Sequence, residues 1–300
     1  MTTPSPLHDP LSGVVVVLLA DFLRQHQGWS WLRLVAGSTS YKDVPGLTMV
    51  KVMGSGHGGG FSLRPSATHQ GLVCTFSHLD LALQFLDGPA VQAYRSRARE
   101  CWMGVMSVQS AKGHWDKQAW QASSPQALGE WAESVPQDAP SATDPALGAP
   151  PVSQHPNRTP GLPFAVLTRA SIVPTKAMAF WRYAPAAQAD LLQAPGCLLA
   201  MGLGEAPLVR QCTFSLWQDT ASMLQYARHG AHQVATAAAY KHQFFSESLF
   251  VRMQVLQMAG VWQGRSFAAD TVAVQPNMAA GRPQGLALVP DSRNLEASHV

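Results

Sequence analysis

The residues whose types and spacing could do chemistry gather between Arg210 and Arg252, in RQCTFSLWQDTASMLQYARHGAHQVATAAAYKHQFFSESLFVR. His229 and His232 stand three apart, and Arg228 and His232 four apart, so on a helix all three share one face. Neutral imidazole carries protons and ligates metals. Ala231, Ala235, Ala237, Ala238 and Ala239 around them are small and helix-forming, so this helix can approach a flat object closely. Arg210 and Arg252 flank the segment, and a guanidinium fork matches a carboxylate. Glu205 follows Gly202 and Gly204 at the end of an apolar run. Its plain reading is a turn residue; its functional one is a carboxylate that steers protons.

These side chains need a strand, a helix and a strand to hold them. RQCTFSLW is rich in β-branched and aromatic residues and stops at Gln218-Asp219. Asp219 or Thr220 can cap the helix that follows. Met223, Leu224, Tyr226, Ala227 and Ala231 give that helix an apolar face. Upstream, the chain reads as the same unit twice. Strand 13–22 (GVVVVLLADF), helix 27–40, a Pro45-Gly46 turn, strand LTMVKVMG, strand GLVCTFS, a helix broken at Gly88-Pro89 and strand WMGVMSVQS make the first. Strand FAVLTRASI, helix 177–193, Pro195-Gly196, CLLAMGLG, CTFS, a helix broken at Gly230 and LFVRMQVLQ make the second. Each unit is β-α-β-β-α-β, the ferredoxin-like arrangement. The expected fold is α+β: tandem ferredoxin-like repeats over 13–115 and 161–262, with antiparallel sheets packed face to face around a barrel-like core. Residues 121–160, rich in Pro and Ala, read as a linker, and 265–300 as a disordered tail.

Composition narrows the function classes. Apolar residues are 46% of the chain and charged ones 13%, with a net charge of +3 from 21 basic and 18 acidic residues. No Lys/Arg run suits a phosphate backbone, so no nucleic acid is expected. Cys74, Cys101, Cys197 and Cys212 show no CxxC or zinc spacing and read as reduced thiols of a cytoplasmic protein. MTTPSPLHDP lacks a basic region, so no signal peptide is expected. The most apolar run, 14–20, falls far below the roughly 20 residues of a membrane span. The loop GSGHGGGFS leads to another strand and not to a helix N-terminus, so it reads as a mobile lid and not a phosphate cradle.

Met201-Gly202-Leu203-Gly204-Glu205, Thr213-Phe214-Ser215-Leu216-Trp217, Tyr226-Ala227-Arg228-His229-Gly230-Ala231-His232 and Phe244-Phe245-Ser246-Glu247-Ser248-Leu249-Phe250 together resemble the spheroidene monooxygenases, the acyclic carotenoid 2-ketolases of purple phototrophic bacteria. The resemblance is strongest over about 160–255 and looser in the N-terminal half. It implies a dimeric-α/β-barrel-type fold and a haem-dependent oxygenase. The reaction it implies converts C-2 of a spheroidene-type carotenoid to a ketone, with O2 and electrons from ferredoxin. It also implies peripheral contact with the intracytoplasmic membrane, where the substrate lives. Given that reading, His232 is the first choice for the iron ligand, and the small residues around it would let a porphyrin lie flat. His229 becomes its polar neighbour, Arg228, Arg210 and Arg252 become partners of the propionates, and Glu205 becomes a proton source for bound O2. His57 is the alternative ligand; cysteine ligation has no supporting local pattern. Two rivals stay open on the sequence: a haem- or pigment-binding module without turnover, and a cofactor-free monooxygenase of the same fold.

Overall fold

The computed structural model describes residues 11–133, 163–206 and 208–270. The first half runs β1 (Val14–Phe22), α1 (Gln27–Ala36), β2 (Leu47–Gly56), β3 (Pro65–Phe76), α2 (Leu79–Asp87), α3 (Pro89–Arg95), β4 (Ala98–Trp115), β5 (Gln118–Ala119) and α4 (Pro125–Leu128). The second runs β6 (Phe164–Ile172), α5 (Ala177–Phe180), α6 (Ala184–Gln193), β7 (Cys197–Ala206), β8 (Arg210–Trp217), α7 (Thr220–Arg228), α8 (Gly230–His242), β9 (Phe245–Trp262) and β10 (Arg265–Asp270).

Local signals account for these elements. β1 is apolar without a break from Val14 to Ala20 because both its faces are buried. Gly88 separates α2 from α3, and Pro89 opens α3 where a missing N–H costs nothing. Asp219 caps α7 by accepting the Ser222 N–H at 2.7 Å.

All strand pairings between these elements are antiparallel, and eight strands close into a barrel. Their order is β2-β3-β1-β4-β9-β6-β8-β7, returning to β2. The expected barrel-like core between the two sheets is present, and the sheets also join edge to edge around it. A four-stranded sheet leaves two strands with unpaired N–H and C=O groups, and closure pairs them. The long strands β4 and β9 zip from Trp102 opposite Gly260 to Gly113 opposite Leu249. The other seam is narrow, with Gly54 opposite Gly204. Side-chain alternation sends Val15, Val17, Leu167, Met201, Phe214 and Met253 into the barrel. There Trp102 of one half meets Phe214 of the other, ring centroids 5.2 Å apart. The opposite faces of the strands carry the helices.

Residues 121–133 of the expected linker are folded. Ser123 accepts the Val108 N–H and donates to the Gly13 carbonyl, and Leu128 is buried among the first half's helices. Residues 134–160 lie outside the described residues. Of the expected tail, Arg265–Asp270 pairs with β9 and buries Phe267 in the barrel core, while 271–300 lie outside the described residues.

The paired turns hold their places, and the CTFS identity does not. The Ser77 N–H bonds the Gly46 carbonyl, and the Gln218 N–H bonds the Gly196 carbonyl, so Ser77 and Gln218 are equivalent. Cys74 lies three residues before Ser77, but Cys212 lies six before Gln218. An odd offset reverses the face of a strand. Cys74 accordingly packs on the helix side and Cys212 inside the barrel.

Candidate functional site

The two helix-covered sheet faces differ. In the first half Val14, Val16, Leu18 and Ala20 of β1 meet the helices and are fully buried, within one continuous apolar cluster. In the second half the same alternation turns Phe164, Val166, Thr168 and Ala170 of β6 toward the helices. Thr168, in mid-sheet, stays half-exposed, as do Thr213 opposite it on β8 and Phe250 opposite it on β9. The apolar residues here split into two clusters, one around Phe180 and Phe244 and one around Trp217 and Met223. Phe61, from the first half's glycine-rich loop, touches both. Thr168, Thr213 and Phe250 thus form a patch that is less completely covered than its counterpart in the first half.

His232 sits on the helix layer above this face. Counting from the equivalent turn residues, His232 is fourteen past Gln218 as Val91 is fourteen past Ser77, and Val91 is wholly buried against its sheet. His232 shares its helix face with Ala235 and the buried Ala239, at i+3 and i+7. Its Nδ1 lies 3.1 Å from the Ala227 carbonyl, so Nδ1–H donates there and Nε2 holds the lone pair. Its ring packs on Tyr226 at 4.7 Å, and the Tyr226 hydroxyl donates to the Ala187 carbonyl. Burial pushes the imidazolium pKa below its ordinary value, against the opposing pull of the Ala227 carbonyl, so the ring is neutral at pH 7.

The break between α7 and α8 sets this geometry. His229 is extended, and Gly230 has φ +63°. A Cβ at Gly230 would lie 2.6 Å from the Asp190 carboxylate, which accepts the Ala231 N–H. His229 is exposed and its Nδ1 faces the Gln225 carbonyl at 2.7 Å; Arg228 is exposed in the last turn of α7. Arg252 lies on the helix-facing side of β9 with its guanidinium 5.5 Å from the Phe250 ring. The structure therefore gathers Arg228, His229 and His232 at the helix break and places Arg252 on the sheet face that the helices cover.

Glu205 and Arg210 belong elsewhere. Glu205 alternates with Met201 and Leu203, which point into the barrel, so it lies across the sheet from α8. The expectation that Glu205 supplies protons beside His232 is corrected on that ground. Glu205 instead accepts from Trp115 Nε1 at 3.2 Å and Arg169 at 3.2 Å, with Lys51 Nζ at 3.3 Å. Arg210 reaches Asp116 at 3.4 Å and so does not join the His232 group. His57 is exposed in its loop.

The polar centre at this barrel mouth was not anticipated. Arg169, with a fully buried side chain, pairs with Glu247, Glu205 and Asp116, and Lys51 pairs with Asp116. Glu247 also accepts the N–H groups of Asp116 and Lys117 in the turn after β4. Burial raises the Asp116 pKa, but Lys51, Arg169 and Arg210 outweigh it and hold the carboxyl below its usual range. The available signal was an arginine inside the apolar run FAVLTRASI.

The glycine-rich loop is a strap over the second half. The Phe61 N–H bonds Gln188 Oε1 at 2.5 Å, and Ser55 Oγ donates to the Gly202 carbonyl at 2.5 Å. A shallow cleft lies under it, lined by Gly58, Phe61, Gln188, Leu192 and Met201 among others.

Two observations bear on a prosthetic group at His232. A lone neutral imidazole suits a metal whose other positions a macrocycle fills, and among the described residues no group of three or more His, Cys, Asp or Glu could hold a metal ion. Thr168 and Thr213 beneath the helix layer are partly exposed, whereas Leu18 and Leu72 at the matching positions of the first half are buried. A neutral imidazole is a donor that a haem iron accepts.

No family profile matches the chain. Among solved structures, the aldoxime dehydratase OxdRE, crystallised with butyraldoxime, superposes with a TM-score of 0.49 at 7% identity, over 85% of this chain and 86% of that one. Among proteins of known name, a spheroidene monooxygenase of Rhodobacter capsulatus is 27% identical over 81% of this chain and 90% of its own. That of Rubrivivax gelatinosus is 41% identical over 255 residues, 85% of this chain and 86% of its own. With 41% identity over an alignment long enough to span both halves of the barrel, the chain belongs to the spheroidene monooxygenase family.

Proposed function

We propose that the protein is a haem-dependent monooxygenase that oxidises C-2 of a spheroidene-type acyclic carotenoid to a ketone, with O2 and reduced ferredoxin. The relationship to the Rubrivivax gelatinosus spheroidene monooxygenase carries the substrate class. The neutral imidazole of His232 and the partly exposed sheet face beneath its helix support the cofactor. We read the architecture as two ferredoxin-like units, since β2-β3-β1-β4 and β7-β8-β6-β9 follow one strand order. The first is a structural unit and the second carries one haem per chain. We place the enzyme in the cytoplasm, working at a membrane surface; among the described residues no helix is long and apolar enough to cross one.

Haem, when bound, supplies the activation of O2. The chain's residues do the rest. His232 would hold the iron through Nε2, its ring fixed by Ala227 and Tyr226. Arg228 and Arg252 would meet the propionates, and His229 would stand beside them as a polar neighbour. Phe250 and Phe61 offer an apolar wall for a polyene, and the strap limits access of water. A methylene becomes a ketone by two oxygen insertions at one carbon. The second gives a hydrate that loses water, so this wall must hold the same carbon through both turnovers.

The test is an absorption spectrum of the purified protein, then a ketolase assay with ferredoxin, its reductase and spheroidene. A Soret band with O2-dependent formation of the 2-ketone is expected. A colourless protein with full ketolase activity would overturn the haem; a haem protein without turnover would overturn the enzyme.

A further inference from the structure

The outward side of α1 is apolar. Trp31, Leu32 and Val35 fall within about 100° of the helix circumference and are 50%, 68% and 82% exposed. Leu23, just before the helix, is 39% exposed. A helix laid on a sheet ordinarily turns polar residues to water. Here the inward side already anchors the helix, with Trp29 packed edge-on against Phe22 and Tyr94. The outward stripe adds nothing to that packing.

Arginines lie on and beside the helix, with Arg24 next to Leu23 at the near end of the stripe. Arg33 and Arg97 place their guanidiniums 5.0 and 4.8 Å from the Trp29 ring. Arg97 donates to the Ala93 carbonyl and the Ser96 hydroxyl, and Arg24 is exposed. Among the described residues none of the three pairs with a carboxylate. From Phe22 to Lys42 the sequence contains no Asp or Glu.

Resting on the membrane-surface reading above, we propose that it is this face of α1 that docks, and that it docks on an anionic lipid bilayer. Trp31, Leu32 and Val35 enter the interface and Arg24 meets lipid phosphates, while Arg33 and Arg97, held on the Trp29 ring, add to the positive field of this end. Three side chains projecting from one short helix offer no groove for a folded partner, whereas a bilayer deforms around them. A second copy would oppose arginine to arginine.

The test is sedimentation of the full chain with phosphatidylcholine vesicles, with and without phosphatidylglycerol. Binding to the anionic vesicles is expected, with a blue shift of tryptophan emission and release by salt. Trp31→Ser combined with Leu32→Ser and Val35→Ser should abolish binding without changing the melting temperature, because all three positions are exposed. Arg24→Gln should weaken it about five-fold. The proposal is overturned if the wild type ignores anionic vesicles, or if the triple variant binds them as tightly. It is equally overturned if the triple variant instead dissolves a dimer seen by ultracentrifugation.

Discussion

His232 and Arg169 are the two side chains whose surroundings demand most of them. His232→Ala is expected to lose haem while keeping its circular dichroism; His229→Ala is expected to keep haem, because His229 is exposed and turned to Gln225. Full haem in the first variant would reassign the ligand. The depressed pKa of His232 also fixes a sign. Its folded value lies below the unfolded 6.5, so acidification protonates the unfolded chain first. His69 behaves alike, since burial outweighs the nearby Asp21. Stability from both is complete above about pH 6.5 and falls as pH drops toward the folded values. Melting curves of haem-free protein should decline below that pH, less steeply in His69→Gln. Arg169 offers a different test. Removing it strands Glu247 and Glu205 at the barrel mouth, so Arg169→Met should cost about 3 kcal/mol. Lys51→Met removes a more exposed partner and should cost about 1 kcal/mol or less in the same urea titration.

At the scale of elements, the strap from β2 to β3 depends on a bare backbone beneath it. A Cβ at Gly202 would lie 2.6 Å from Phe61 Cδ1 and 2.7 Å from the Gly60 carbonyl oxygen. The ring can rotate away, but the carbonyl cannot without moving the loop. Gly202→Ala should therefore destabilise by about 1–3 kcal/mol and expose the 57–64 loop to protease. Gly54→Ala, on the neighbouring strand, meets only Leu34 Cδ1 at 3.8 Å and should be close to neutral. Equal effects of the two substitutions would show that the loop does not rest on β7.

At the scale of the molecule, the barrel's two seams are unequal. β4 and β9 pair along most of their length, whereas β2 and β7 share one described pair. Local opening follows the weaker line. Amide exchange should be fastest along β2 and β7 and slowest in β4 and β9, and uniform protection would contradict this. The narrow seam also lies beside the strap and its cleft.

Periodicity, β-branching, capping residues and the two Pro-Gly turns were enough to place most strands and helices, because those signals act over a few neighbours. The break at Gly230 and the helix bearing His232 were legible for the same reason, and so was the kinship carried by the motifs around them. Register was not. The CTFS identity pointed to equivalence, but hydrogen bonds at the turns shift it by three residues and reverse its face. Glu205 followed the same rule, since one position along β7 decides between the barrel interior and the helix layer. The Arg169 cluster draws Lys51 and Asp116 from one half and Glu205 and Glu247 from the other. No local pattern encodes such a meeting; closing the barrel creates it.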